Sequence, residues 1–393
     1  MESVLRVLAV MAGIVLTLAA LASAIKTVIL PRAVGSLVTR WVFLSVRVVF
    51  RMLARPSHSY EWRDRVLSFY APLGLISILA TWLVMVFAGY GLVFWGLEGT
   101  IGVSEALELS GSSLLTLGFV RPETFWLMMV SFSEAAIGLF LLALLITYLP
   151  SMYGAFSRRE VGVTALAVRA GEPPSGRELI WRFWTLQRVD ELHDVWTEWE
   201  RWFVDIEETH TSLPALAFFR SPNPDHSWTT AAGAVLDGAS LADSVVDIDH
   251  DVQADICIRA GYLCLRRIAD FFQVPYDPDP APDDPISITR QEWDAAIDSL
   301  AENGVPIKTD RDQGWRDFAG WRVNYDTVLL ALANITSAPY APWSSDRSGD
   351  RTYRQRLLRR RRPARVGNSE ESFRAGLEDH VGHHDDQDHQ VDT

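Results

Sequence analysis

The sequence predicts an all-α membrane protein: three transmembrane helices, a re-entrant short helix and loop between the second and third, and an all-helical cytoplasmic domain. Three observations lead there. Long apolar runs crowd into roughly the first 150 of 393 residues. A short loop threaded with Ser, Thr and Gly separates two of those runs. Beyond them no period-two alternation persists, while apolar residues recur at helical spacing.

The first span runs from about Val4 to Leu30, with Arg6 and Lys26 near its ends. The second, Val66 to Trp95, carries no charged residue, and the third, Phe125 to about Tyr153, carries only Glu134. Each exceeds the ~20 apolar residues that a bilayer requires. The first is too long for a signal-peptide core, and one Glu sits beside its Arg, so it is read as a retained span.

Orientation follows from the basic residues. The segment between the first and second spans holds Arg32, Arg40, Arg47, Arg51, Arg55, Arg63 and Arg65, whereas the segment between the second and third holds Glu98, Glu105, Glu108 and Glu123 with Arg121 alone. The positive-inside rule places the first segment in the cytoplasm, the N-terminus and second segment outside, and everything after the third span inside. The expected location is the cell membrane, as a multi-pass protein. Arg40, Arg47 and Arg51 fall on one face of an apolar stretch, Gly35 to Leu53, which reads as a helix lying on the inner leaflet. No span carries repeated arginines, so voltage sensing is not expected.

Between the second and third spans, Ser104 to Leu115 has the length of a helix that enters the membrane and stops halfway. Thr116, Leu117, Gly118 and Phe119 follow. Irregular backbone at membrane depth is tolerated only where protein buries it or water fills a cavity. A helix ending there aims its negative dipole end inward, which favours a cation. Gly118 permits the backbone turn that directs a carbonyl inward, Thr116 offers a hydroxyl, and Phe119 is placed to pack behind the loop. Glu134, about a third of the way down the last span, has two readings. Either it acts at the loop, sitting behind the short helix to accept hydrogen bonds from Ser112, Ser113 or Thr116 or tuning the cation site, or it reaches water or a neighbouring subunit near the outer interface. Gly138 is either a hinge in the last span or a small residue for close helix contact.

The segment from Val66 to Glu160, about a quarter of the chain, resembles the two-transmembrane, pore-loop potassium channel family. The family's signature begins Thr-Val-Gly-Tyr or Thr-Val-Gly-Phe, and Thr116, Leu117, Gly118 and Phe119 match those four places. Val120 stands where the family has its second filter glycine and Arg121 where it has an acidic residue. A β-branched valine resists the positive φ open to glycine, and an arginine at the outer mouth repels cations. The resemblance implies passive permeation of K+ or another monovalent cation, with residues 116–119 as filter, Glu134, Ser112 and Ser113 as its support and Gly138 as hinge. It also implies a homotetramer, because one loop per chain cannot enclose a symmetric pore. A non-conducting membrane scaffold or sensor that keeps the fold is the alternative.

The expected division is 1–34 (first span), 35–65 (interfacial helix and linker), 66–157 (pore domain), 158–342 (cytoplasmic helices) and 343–393 (disordered tail). Within the cytoplasmic domain a single helical stretch is expected from Ser175 or Arg177 to about Glu208, with Trp181, Trp184, Trp196, Trp199 and Trp202 forming an apolar stripe. Further helices are expected at Trp228 to Val246, Asp251 to Phe272, Arg290 to Glu302 and Tyr325 to Thr336, separated by Pro- and Gly-rich breakers. Cys257 and Cys264, seven residues apart, share a helical face and read as reduced core thiols. His210 with Glu207, Glu208 and Thr211 reads as a polar helix end. Asp247, Asp249, His250 and Asp251 read as a solvated turn or cap, lacking the glycine and terminal Glu of a calcium loop. In the tail, the arginines from Arg351 to Arg365 suit anionic lipid or solvent, and the His- and Asp-rich residues from His380 to Asp392 suit weak metal binding at most. The net charge of -13 argues against general nucleic-acid binding. No nucleophile, base and orienting group recur at readable spacing, so neither an enzyme nor a resident cofactor or metal is expected.

Overall fold

The computed structural model describes residues 2–30, 36–54 and 59–347. Among these the fold is all-helical, with no strand and one isolated bridge pairing Val246 with Ile307. Three helices are long and apolar enough to cross a membrane: α1 (Glu2–Val28), the tract 60–97 formed by α3 (Tyr60–Ser68) and α4 (Tyr70–Leu97), and α6 (Phe125–Ala170). The amphipathic α2 (Leu37–Leu53) lies against α4, where the ring of Phe43 covers Gly74.

Helix α1 packs along α4 through a stripe of small residues. Ala9, Gly13, Thr17, Ala20 and Ala24 recur every three or four positions and are buried. A Cβ on Gly13 would meet the Gly89 carbonyl oxygen at 2.3 Å, so the two backbones touch. Without a hydrophobic drive between helices in lipid, such close backbone contact is the means of association. The two helices run antiparallel, and Arg6 near the start of α1 donates to the carbonyls of Trp95 (2.8 Å) and Glu98 (3.0 Å) at the end of α4.

Helix α6 is longer than the sequence suggests. It passes through Pro150 and continues beyond Tyr153 and the division expected at 157, ending at Gly171 with φ +82°. Its last third is a core element of the C-terminal domain. Val163 and Leu166 are buried in the C-terminal helical domain, and a Cβ on Gly162 would meet the Trp202 ring at 2.6 Å. The last span and the C-terminal domain therefore share one continuous helix.

The C-terminal domain comprises α7 (Gly176–Thr185), α8 (Leu192–Ser212), α9 (Trp228–Ser244), α10 (Val252–Phe271), α11 (Arg290–Glu302), α12 (Arg311–Arg322) and α13 (Asp326–Thr336). Nearly every residue of α9 is buried, so it is the central helix around which the others pack. The single stretch expected from 175 to 208 is broken at Leu186–Arg188, with Gln187 at φ +56°. Trp184 and Trp196 are twelve residues apart, so one straight helix would turn them about 120° from each other. The break lets both tryptophan clusters face one core, with Trp196, Trp199 and Trp202 buried and Trp181 and Trp184 packed against it. Helix α12 is absent from the sequence expectation: two glycines dilute its pattern, and only Gly314, Phe318 and Arg322 are buried, four residues apart. Order also continues past Trp343, where Arg347 donates to Glu292 at 2.7 Å and to the Ser287 carbonyl at 2.8 Å. The segments 351–365 and 380–392 lie outside the described residues.

Candidate functional site

The loop between α4 and α6 is built on α5 (Val103–Leu114), which begins at Gly102, whose N–H donates to Glu105 at 3.0 Å. Ala106, Leu109, Ser110, Ser112, Ser113 and Leu114 are buried, and α5 lies against both α4 and α6. Its buried serines are the ties. Ser110 Oγ sits 2.5 Å from Glu134 Oε1 and 2.9 Å from the Phe87 carbonyl, joining the fully buried carboxyl of α6 to the backbone of α4. The Ser113 and Ser131 hydroxyls pair directly. Tyr90 and Ser133 hydroxyls pair at 2.8 Å, tying α4 to α6. Glu134 Oε2 is buried and has no hydrogen-bond partner among the described residues.

At the end of α5 the chain folds back on the helix. The N–H of Thr116 donates to the Ser113 carbonyl (3.0 Å), and those of Leu117 and Gly118 donate to the Ser112 carbonyl (2.9 and 3.4 Å). Thr116 has φ +54° and Gly118 φ +71°, while Leu117 between them is not left-handed. Such alternation gathers successive N–H groups on one side of the chain. The carbonyls of Thr116, Leu117, Gly118 and Phe119 accept no hydrogen bond among the described residues. A β-branched residue at positive φ is strained by roughly 1–3 kcal/mol, and such strain gathers at working sites. Ser112 Oγ closes the loop: it accepts from Val120 N–H at 3.1 Å and donates to the Val120 carbonyl at 2.9 Å.

The predicted site residues thus lie together, but several roles differ. Glu134 meets Ser110, not Ser112, Ser113 or Thr116, because its position on α6 faces the middle of α5 and not its end. Ser112 holds the loop, and Ser113 holds α6. Phe119 does not pack behind the loop within its own chain, being 68% exposed. Val120 is not a fifth member of the carbonyl row, since its backbone is bound to Ser112 and its side chain packs into the membrane-half core. Gly138 is a close-contact residue: a Cβ there would meet the Leu114 carbonyl at 2.7 Å, and α6 is unbroken at this point. Ser110 and Ser131 escape the sequence reading, although each lies three residues from a predicted partner (Ser113 and Glu134) on the same helix face.

In the C-terminal domain His210 lies in the last turn of α8, as a helix-end reading requires, but faces inward. It is fully buried, 3.4 Å from the guanidinium of Arg159 and 3.1 Å from the Ile206 carbonyl. Arginine only donates, so Nε2 accepts from Arg159 and Nδ1–H donates to Ile206, which makes His210 a neutral imidazole. Burial and the Arg159 charge hold it well below its ordinary range. Arg159, also fully buried, donates to the carbonyls of Leu216 (2.8 Å) and Phe219 (2.7 Å), fastening α6 to the turn after α8. Cys257 and Cys264 are buried and free, with burial pushing both thiols up. Asp251 caps α10, accepting from Gln253 N–H at 2.9 Å, as a cap reading requires. His250, however, turns toward Asp243 and Asp255. No protein-family model, curated protein or solved structure matches the chain.

Proposed function

We propose that this protein is a passive monovalent-cation pore, assembled as a homotetramer, in which the carbonyls of residues 116–119 line the ion path. The observation that carries the reading is the loop itself. Its N–H groups are spent on the end of α5, its carbonyls are free among the described residues, and Thr116 holds a strained φ of +54°. Carbonyl oxygens arranged in a ring replace the hydration shell of a cation. The end of α5 adds its negative dipole to the same place. Leu115, Leu117 and Phe119 are exposed in one chain and are surfaces for neighbouring subunits. Glu134 and Ser110 hold α5 at its depth, and Ser112 holds the loop. With the Val120 backbone bound to Ser112, the row is four carbonyls long. In this reading the N-terminus and the α4–α6 loop face outward and the C-terminal domain is cytoplasmic. Arg40, Arg47 and Arg51 meet anionic lipid at the inner leaflet, and α6 carries motion between the domain and the pore. The competing reading, a non-conducting scaffold, is favoured by the basic Arg121 beside the row.

The test is flux in proteoliposomes, potassium against sodium, for the wild type and Gly118→Ala. Nothing lies within 4 Å of a Cβ on Gly118, so the change introduces no clash and acts through its φ of +71°. The left-handed conformation costs a non-glycine residue about 1–2 kcal/mol. Potassium-favouring flux that falls in the variant supports the pore. Equal sodium and potassium flux identifies an unselective pore, and no flux from a folded tetramer favours the scaffold.

A further inference from the structure

The end of α9, the loop after it and the first turn of α10 bring three ligand-type side chains together. His250 Nδ1 lies 2.9 Å from Asp243 Oδ1, and His250 Nε2 lies 3.4 Å from Asp255 Oδ2. One ligand atom from each residue falls within 4.8 Å of the others. A neutral imidazole has one proton and satisfies one carboxylate, not two. Asp255 Oδ1 is shielded from solvent and has no hydrogen-bond partner among the described residues. Asp243 is held in place from outside the cluster, where its Oδ2 accepts from Trp321 Nε1 at 3.0 Å. Such outer contacts orient metal-binding carboxylates. Asp251, which follows His250, is already engaged by His193 at 3.0 Å and by the α10 cap.

We propose that Asp243, His250 and Asp255 form a divalent transition-metal site, with Zn2+ as the preferred ion and water in the remaining position. One imidazole with two carboxylates is a donor set for a borderline cation, whereas Ca2+ and Mg2+ prefer oxygen alone. The ion neutralises both carboxylates and staples the start of α10 to the end of α9, and through Trp321 to α12. The site is independent of the pore reading, because binding is measured without flux.

The test uses the full chain in detergent, stripped with chelator, with His380, His383, His384 and His389 replaced by alanine to remove the tail as a competing ligand. ZnCl2 is titrated calorimetrically into this background and into the same background carrying His250→Ala or Asp255→Asn. The expected result is one Zn2+ per chain, weakened at least tenfold by either substitution. Zn2+ raises the melting temperature of the background chain and leaves that of the variants unchanged. Far-UV circular dichroism checks that the variants fold, and Asp255→Asn keeps the side-chain shape. No saturable binding, binding equal in the variants, or equal affinity for Mg2+ or Ca2+ would overturn the proposal. A His250 that merely bridges two carboxylates as a cation gives the first of these.

Discussion

Replacing Ser112 by alanine isolates the contact that fixes the loop. The Ser112 side chain is 1% exposed and makes two hydrogen bonds to one residue, accepting at 3.1 Å and donating at 2.9 Å to the backbone of Val120. Each such bond contributes about 1 kcal/mol net, so removing both weakens the folded-back loop by about 2 kcal/mol. That is a shift of roughly 30-fold between pinned and free loops in each chain. In the proposed tetramer four chains would share one pore, so a single released loop would be enough to break the ring of carbonyls, and the effect on conduction would exceed the effect on any one subunit. The spans stay folded, because Ser110–Glu134 and Ser113–Ser131 are untouched. In liposomes, Ser112→Ala is expected to lower potassium flux at least tenfold, or to erase the preference over sodium, with the tetramer intact by size-exclusion chromatography. Val103→Ala, a 60% exposed position at the far end of α5, serves as the control and is expected to behave as wild type. Wild-type flux and selectivity in Ser112→Ala would refute the view that the Val120 contact sets the carbonyl row.

Two further outcomes concern the C-terminal domain. His210 is neutral in the fold and takes up a proton on unfolding below its ordinary value of 6.5. The unfolded state then binds more protons, so stability falls as pH drops below that value, by about 1.4 kcal/mol per pH unit, and is flat above it. Melting curves from pH 7.5 to 5.5 check this, and His210→Gln is expected to lose that share of the slope. Arg322 is fully buried between Asp237 and Asp326, donating to Asp326 at 2.9 Å. Arg322→Met leaves two buried carboxylates without their cation and is expected to cost about 3–5 kcal/mol in denaturant unfolding followed by tryptophan fluorescence. A loss below about 1 kcal/mol would contradict the network.

The regular elements are legible because their signals are local. Unbroken apolar runs mark α1, α4 and α6, and Ser104 to Leu115 matches α5 to within a residue. The Pro- and Gly-rich breakers mark α11 and its neighbours in the same way. What escapes are properties of pairs of segments. The small-residue stripe of α1 has meaning only beside Gly89 on α4. Glu134 has several serines on offer as partners, and only the height of α5 against α6 selects Ser110. Helix α12 carries a face of three buried residues that reads as noise until α9 is placed against it.

By itself, then, the sequence determined most of the helices, though not α12, the break between α7 and α8 or the far end of α6, and which of them are apolar enough to span a membrane. It also marked residues 116–119, where the structure has Thr116 and Gly118 at positive φ, since periodicity, caps and glycine act within a few residues. Tertiary structure decided that α6 runs unbroken into the C-terminal domain, that Ser112 ties the loop at Val120, and that Asp255 joins Asp243 and His250. Those outcomes depend on contacts between residues distant in the chain, whose geometry is fixed only when the helices pack.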